Sequence, residues 1–303
     1  MTTATRIEKD PLGELAVPSD ALYGVQTLRA VRNFPISGLK PLPAFVDATV
    51  RIKRAAAITH KQTGRLDAKL ADAIIAAADE VLGGQHREHF VVDPYQAGAG
   101  TSHNMNINEV LANRANEILG GKRGEYKPVH PNDHVNMAQS TNDVIPTAIR
   151  LGAVTELPKL LAACNDLIAA LEQKGHEFDD VIKSGRTHIQ DAMPIRLGQE
   201  FTAYAGSLRR CIRRIEEAAD YLRDLGIGGS AVGTGVNVEP AYPALMVKEL
   251  ALSAGVEVRE GKDRIQLMQS MGDAAAFSSQ LKVLAIDLSK IASDLRLLAS
   301  TFS

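Results

Sequence analysis

The chain has 303 residues, 45% of them apolar and only 4% aromatic, with no tryptophan and a formal net charge of -2. That length supplies a sizeable core for one to three domains, and the near-neutral charge excludes a bulk attraction to nucleic acid or to a membrane surface. The aromatic-poor, Ala- and Leu-rich composition favours packed helices over a β-sandwich, because strands favour β-branched and aromatic side chains.

Residues 1–40 read as irregular, with turns at Pro11-Leu12-Gly13, Pro18-Ser19-Asp20 and Pro35-Ile36-Ser37-Gly38. Met1 to Arg6 carry no apolar signal run and no later segment reaches about 18 consecutive apolar residues, so a soluble, cytoplasmic protein is expected. Helical periodicity runs from Ala44 to Gln62, from Asp67 to Leu82 with Gly83-Gly84 as a stop, and from Asn104 to Leu119 with Gly120-Gly121 as a stop. Longer patterns follow: Val144 to Lys174, with a bend expected at Pro158, then Pro194 to Leu225, then Arg264 to the end. Each is roughly 30 residues, or roughly 45 Å of helix, a length normally held by a bundle or by partner subunits. The expected architecture is therefore mainly all-α: a mixed N-terminal domain over 1–140, then a long-helix bundle over 141–303. Cys164 and Cys211 fall inside helical patterns and read as small core residues rather than a disulfide framework.

Three polar stretches stand out, each ahead of an apolar-periodic helix: Gly98-Ala99-Gly100-Thr101-Ser102, Gln139-Ser140-Thr141-Asn142-Asp143 and Ser184-Gly185-Arg186-Thr187-His188-Ile189-Gln190-Asp191. Ser140, Thr141, Asn142 and Asp143 are all N-cap residue types, and one would suffice for a cap. The run reads either as redundant capping or as an anion seat at the positive end of a helix dipole. The glycines before Thr101 allow close backbone approach to a ligand. His188, beside Thr187 and between Arg186 and Asp191, reads either as a core histidine or as a hydrogen-bond partner and proton carrier. The expectation is that the three loops meet around a small dianion.

Other motifs carry less. His86-x-x-His89 and His130-x-x-x-His134 have ligand-like spacing, but a catalytic zinc needs three protein ligands, which the sequence does not assemble, so no metal is expected. Gly226-Ile227-Gly228-Gly229-Ser230-Ala231 fits G-x-G-x-x-A formally, yet follows a helix rather than a strand. Arg209, Arg210, Arg213 and Arg214 read as a solvated helix face or subunit contacts. A site of hydroxyls, amides and helix ends suits a reaction in which charge grows on a carboxylate.

These stretches resemble the aspartase/fumarase superfamily along nearly the whole chain. Arg6-Ile7-Glu8-Lys9-Asp10 and Val17-Pro18-Ser19-Asp20-Ala21-Leu22-Tyr23-Gly24 are similar to its N-terminal segment. Gly100 to Asn113, His130-Pro131-Asn132-Asp133 through Asp143, Gly185 to Asp191, and Gly229 to Gly235 are similar to its signature regions, with Ser230 where a Thr is usual. Gln96-Ala97-Gly98-Ala99-Gly100-Thr101-Ser102, Thr141 after Ser140, and Asp294-Leu295-Arg296-Leu297-Leu298 resemble the aspartate ammonia-lyase branch more than the fumarate hydratases.

The resemblance implies cofactor-free, reversible elimination of ammonia from L-aspartate to fumarate through an aci-carboxylate. By it, Thr101, Ser140 and Thr141 would hold the carboxylate that gains charge. Asn142 and His188 would lie near the amino group, and Thr187 near the other carboxylate. It also implies a homotetramer whose sites are shared between subunits. In the family the general base is a Ser on a Gly-Ser-Ser loop beyond the third long helix. The chain stops at Ser303, before that loop, so a truncated bundle, inactive alone, is expected. A hydratase and a non-catalytic helical oligomer derived from a lyase are the alternatives.

Overall fold

In a computed structural model, residues 4–300 are described. Met1-Thr2-Thr3 and Thr301-Phe302-Ser303 lie outside them. In chain order, Thr5–Asp10 (β1) and Gly13–Pro18 (β2) pair as an antiparallel hairpin, Thr5 opposite Pro18 and Asp10 opposite Gly13. Helix Val25–Asn33 (α1) follows, so the expectation of an irregular start is corrected. The hairpin's inward residue on β1 is the charged Glu8, which hides the apolar alternation that marks a strand.

Pro43–Gln62 (α2) begins with proline at its first position, where the missing N–H costs nothing. In Ala68–Leu82 (α3) the Asp67 carboxylate accepts from the Lys69 and Leu70 amides, and Gly83 ends the helix. Thr101–Ile118 (α4) is followed by a π-helical turn, Pro131–Val135, and by Thr141–Glu177 (α5), which continues through Pro158.

Ile182–Thr187 (β3) and Gln190–Arg196 (β4) form a second antiparallel hairpin. Leu197–Tyr221 (α6) starts only at Leu197, so the segment from Pro194 is divided between strand and helix. Asp224–Leu225 (β5) pairs in parallel with Arg259–Glu260 (β6), with Tyr242–Ala254 (α7) between them. The last long pattern is two helices, Arg264–Gln269 (α8) and Gly272–Leu298 (α9), separated at Ser270 and Met271.

The contacts group the chain into two compact units that interleave in sequence: residues up to Thr155 with Arg223–Met271, and Glu156–Leu222 with the residues from Gly272 onward. The division near residue 140 marks the start of α5 and falls within the first unit. In the first unit, one core lies among α2, α3 and α4 around Val50, Ile74 and Leu111, and another joins α2, the start of α5 and α7 around Ile52, Leu151 and Leu250. In the second, Ile168 and Leu171 of α5, Leu208 and Ile215 of α6, and Leu284 and Ile291 of α9 form the core. Cys164 and Cys211 are buried there as free thiols. No helix among the described residues is long and apolar enough to cross a membrane.

Candidate anion-binding site

The first two polar stretches converge within the first unit. Gly100 precedes α4 with φ +75°, a left-handed conformation that favours glycine, and contributes no side-chain cap. A Cβ there would lie 2.8 Å from Ile145 Cγ1, so the start of α4 packs directly on the first turn of α5. Asn104, one turn past Thr101, donates to Thr141 Oγ1 at 3.4 Å. Thr101 and Asn142 are exposed, and Ser140 and Thr141 are half-buried.

Asp143 points the other way, into the protein. One carboxylate oxygen accepts from the Ser140 amide at 2.9 Å. The other accepts from the Gly228 and Ser230 amides, each at 3.0 Å. Asn142 Nδ2 donates to the Ala231 carbonyl at 2.8 Å, so the glycine-rich loop is fastened to the start of α5. A short strand, β5, does precede that loop, but no helix starts until Tyr242, so the dinucleotide reading fails for want of the helix.

Beneath these residues lies a buried polar floor. Lys53 of α2 is fully buried, and its ammonium donates to Asn104 Oδ1 at 2.7 Å, Asn136 Oδ1 at 2.8 Å and Gln139 Oε1 at 2.9 Å. All three acceptors are neutral amides. Burial pulls the Lys53 ammonium down to about 7, against the attraction of Asp143. Burial pushes Asp143 up to about 6, opposed by its backbone donors and by Lys53. His103 is buried against Phe45, its ring stacked at 4.3 Å, and is held down to about 3 by burial and by Lys53. Lys53 is the residue that reading by motif missed. Its signal is position: Val46, Val50, Lys53, Ala57 and His60 alternate at four- and three-residue spacing on the buried stripe of α2.

The third stretch belongs to the second unit and is a hairpin tip, not a helix start. Arg186 pairs with Asp191 and Thr187 with Gln190, leaving His188 and Ile189 as a two-residue turn with φ +51° and +60°. A turn with both central residues at positive φ matches the twist of a hairpin but favours Asn-Gly, and a β-branched residue there is strained. Thr187 and His188 are exposed. The expected meeting of three helix starts is thus, in the structure, two helix starts in one unit and a hairpin tip in the other.

Helix α1 shows how this fold treats such a terminus elsewhere. Glu109, wholly buried, accepts from the Gly24, Gln26 and Thr27 amides at 2.9, 3.1 and 3.0 Å. Glu8 accepts from the Val25 amide at 2.9 Å. Two internal carboxylates therefore fill the positive end of α1.

The histidine pairs resolve into local networks. His130 Nδ1 accepts from the Asn132 and Asp133 amides, capping the π-helical turn. His86, Glu88 and His89 bring ligand atoms within 4.8 Å of one another. However, His89 Nδ1 accepts from the Leu22 amide, which leaves the ring proton on the nitrogen facing Glu88, and His86 Nε2 is spent on Glu80 at 3.0 Å. Arg209, Arg210, Arg213 and Arg214 lie on the exposed face of α6, with Arg209 bridged to Glu172.

Comparison with known proteins follows the same lines. Residues 13–302 match a protein family described as Lyase. The chain is 48% identical over 295 residues to an aspartate ammonia-lyase of Bacillus subtilis, covering 97% of this chain and 62% of that protein. It is 46% identical over 297 residues to a class II fumarate hydratase of Ralstonia nicotianae, covering 98% and 64%. A solved fumarate lyase:delta crystallin from Brucella melitensis, bound to cobalt, superimposes with a TM-score of 0.95 at 48% identity, covering 98% of this chain and 65% of that one. The chain thus spans less than two thirds of the length of these relatives.

Proposed function

We propose that this chain, which belongs to the lyase family and to its aspartase/fumarase superfamily, serves the reversible elimination of ammonia from L-aspartate to give fumarate. The reading is supported above all by the convergence of the α4 and α5 N-termini. Thr101, Ser140 and Thr141 stand there with hydroxyls that donate to no described residue. Aligned N–H groups and hydroxyls of this kind stabilise a carboxylate, most strongly when its charge increases.

In the reaction, a base takes a proton from Cβ and its electrons flow into the adjacent carboxylate, which becomes the doubly charged aci-carboxylate. The Cα–N bond then breaks, ammonia leaves with its electron pair, and the carbon–carbon double bond forms. Thr101, Ser140 and Thr141 hold the aci-carboxylate. Asn142 and His188 lie at the amino group, and Thr187 at the second carboxylate. In this reading the protein is cytoplasmic and the sites are shared in a homotetramer, so Thr187 and His188 can come from a neighbouring copy.

A hydratase reading also stands, because a class II fumarate hydratase is nearly as similar as the aspartate ammonia-lyase. One assay separates the two. The chain is mixed with the B. subtilis relative carrying substitutions at its positions matching Thr187 and His188, and fumarate absorbance is followed. Recovery with L-aspartate and not with L-malate is expected. Recovery with L-malate would overturn the ammonia-lyase reading, and no recovery with either would overturn the shared site.

A further inference from the structure

A lysine ammonium wholly removed from water is costly unless its charge has a use or a counter-ion. Lys53 has no carboxylate in ion-pair contact among the described residues; its three N–H groups go to three amide oxygens. Those amides come from two elements far apart in sequence: Asn104 from α4, and Asn136 and Gln139 from the segment that leads into α5. One side chain therefore ties both helix starts to α2.

The polarity of these bonds propagates outward. Because Asn104 Oδ1 faces the Lys53 donor, Asn104 Nδ2 must face Asn136 Oδ1 at 3.3 Å and Thr141 Oγ1 at 3.4 Å. The Thr141 oxygen thereby accepts from within the protein, and its hydrogen is directed to whatever lies outside. Ser140 follows the same rule, since its Oγ accepts from the Asn142 amide at 3.2 Å. Swapping the Asn104 oxygen and nitrogen would set N–H groups against the ammonium, so the ammonium fixes the arrangement.

We propose that Lys53 is the positioning residue of the dicarboxylate seat: it orients Asn104 so that the Thr141 hydroxyl donates outward, and its ammonium supplies the positive charge beneath the α4 and α5 N-termini. This rests on the dicarboxylate reading above. The ionisable groups that face Lys53 are Asp143 of α5, which favours its charged form, and His103 of α4, which burial keeps neutral. With burial holding Lys53 near neutrality, an arriving dianion draws a proton onto it.

The test is calorimetric titration of the full chain with succinate, an unreactive dicarboxylate, and with inorganic phosphate, near neutral pH in two buffers of different protonation heat. The variants are Lys53→Met, Thr141→Val, the double variant, and Asn104→Asp. Succinate binding by the unsubstituted chain takes up a proton. Lys53→Met weakens binding about tenfold and abolishes the uptake, and the double variant binds no more weakly than Lys53→Met alone, because the lysine acts through the threonine. Should Lys53→Met fail to fold, Asn104→Asp decides. It gives Lys53 a carboxylate and removes the N–H₂ that faces Thr141, so affinity falls about tenfold while the thermal midpoint holds or rises.

Equal affinity and equal proton uptake in Lys53→Met, additive effects in the double variant, or unchanged affinity in Asn104→Asp would each overturn the role of Lys53 and leave the dicarboxylate reading standing. Phosphate binding that depends on Lys53, with no succinate binding, would keep Lys53 and sink the dicarboxylate reading. No binding of either anion would sink both.

Discussion

The α4 and α5 N-termini and the β3–β4 tip, which belong to different units, are built in opposite ways. Around the α4 and α5 N-termini two inward charged groups are each held by several partners: Asp143 accepts from three backbone amides, Lys53 donates to three side-chain amides, and the carboxylate and ammonium attract one another through the interior. At the β3–β4 tip, Thr187 and His188 stand in solvent on a turn whose two central residues sit in a strained backbone region. The first arrangement spends folding energy on holding donors at fixed positions, which is what electrostatic stabilisation of a growing charge requires. The second stores strain in a short exposed segment, as ligand-contacting segments often do.

Asp143→Ala tests the contrast most severely. It leaves the Ser140, Gly228 and Ser230 amides without their acceptor and Lys53 without its nearest opposite charge. The expected loss is about 3–5 kcal/mol in urea denaturation, the range for breaking a buried charged network from one side. Thr187→Val and His188→Ala, at the exposed tip, are expected to stay within about 0.5 kcal/mol of the unsubstituted chain. Comparable losses in the two regions would dissolve the distinction.

Acidity probes the same floor with a smaller effect. Lys53 titrates at about 7 in the folded chain against a model-peptide value of 10.5, so between these limits the unfolded chain holds a proton that the folded chain has released. Stability therefore rises with pH across that window and is lost as pH falls through 7. Asp143 runs the other way: its folded value of about 6 exceeds 3.8, the folded chain holds the extra proton, and stability falls as pH rises from about 4 to about 6. The pair predicts a urea midpoint higher at about pH 9 than at about pH 6.5, and a flatter profile in Lys53→Met. An unchanged profile in that variant would mean that Lys53 titrates as an ordinary exposed amine.

How far the sequence disclosed this architecture follows from how local each cause is. The Asp67 cap and Gly83 stop bound α3 because capping acts within one turn. The run Ser140 to Asp143 likewise announces the start of α5. The first hairpin escaped because its buried strand residue on β1 is Glu8, and the second because both strands are largely exposed and a register shift between Ser184 and Arg186 breaks the alternation. Around the α4 and α5 N-termini, Thr101, Ser140 and Thr141 were legible as polar stretches ahead of helices. The floor was not, since Lys53 meets Asn104, Asn136 and Gln139 only after folding, and no spacing rule connects residues so far apart.

The smallest effect sharpens the comparison from the strained side. Ile189 holds φ +60° with its side chain 77% exposed, so the first-order account is backbone strain without compensating burial. A residue with a Cβ in that region costs about 1–2 kcal/mol, part of which Gly returns as extra freedom in the unfolded chain. Ile189→Gly is therefore expected to stabilise the chain by about 0.5–1 kcal/mol in urea, leaving the Thr187–Gln190 pairing intact by amide exchange. A loss of stability instead would show that the isoleucine side chain is covered in the protein in solution. The tip would then be held by a contact, and the two regions would be alike in being fixed before any ligand arrives.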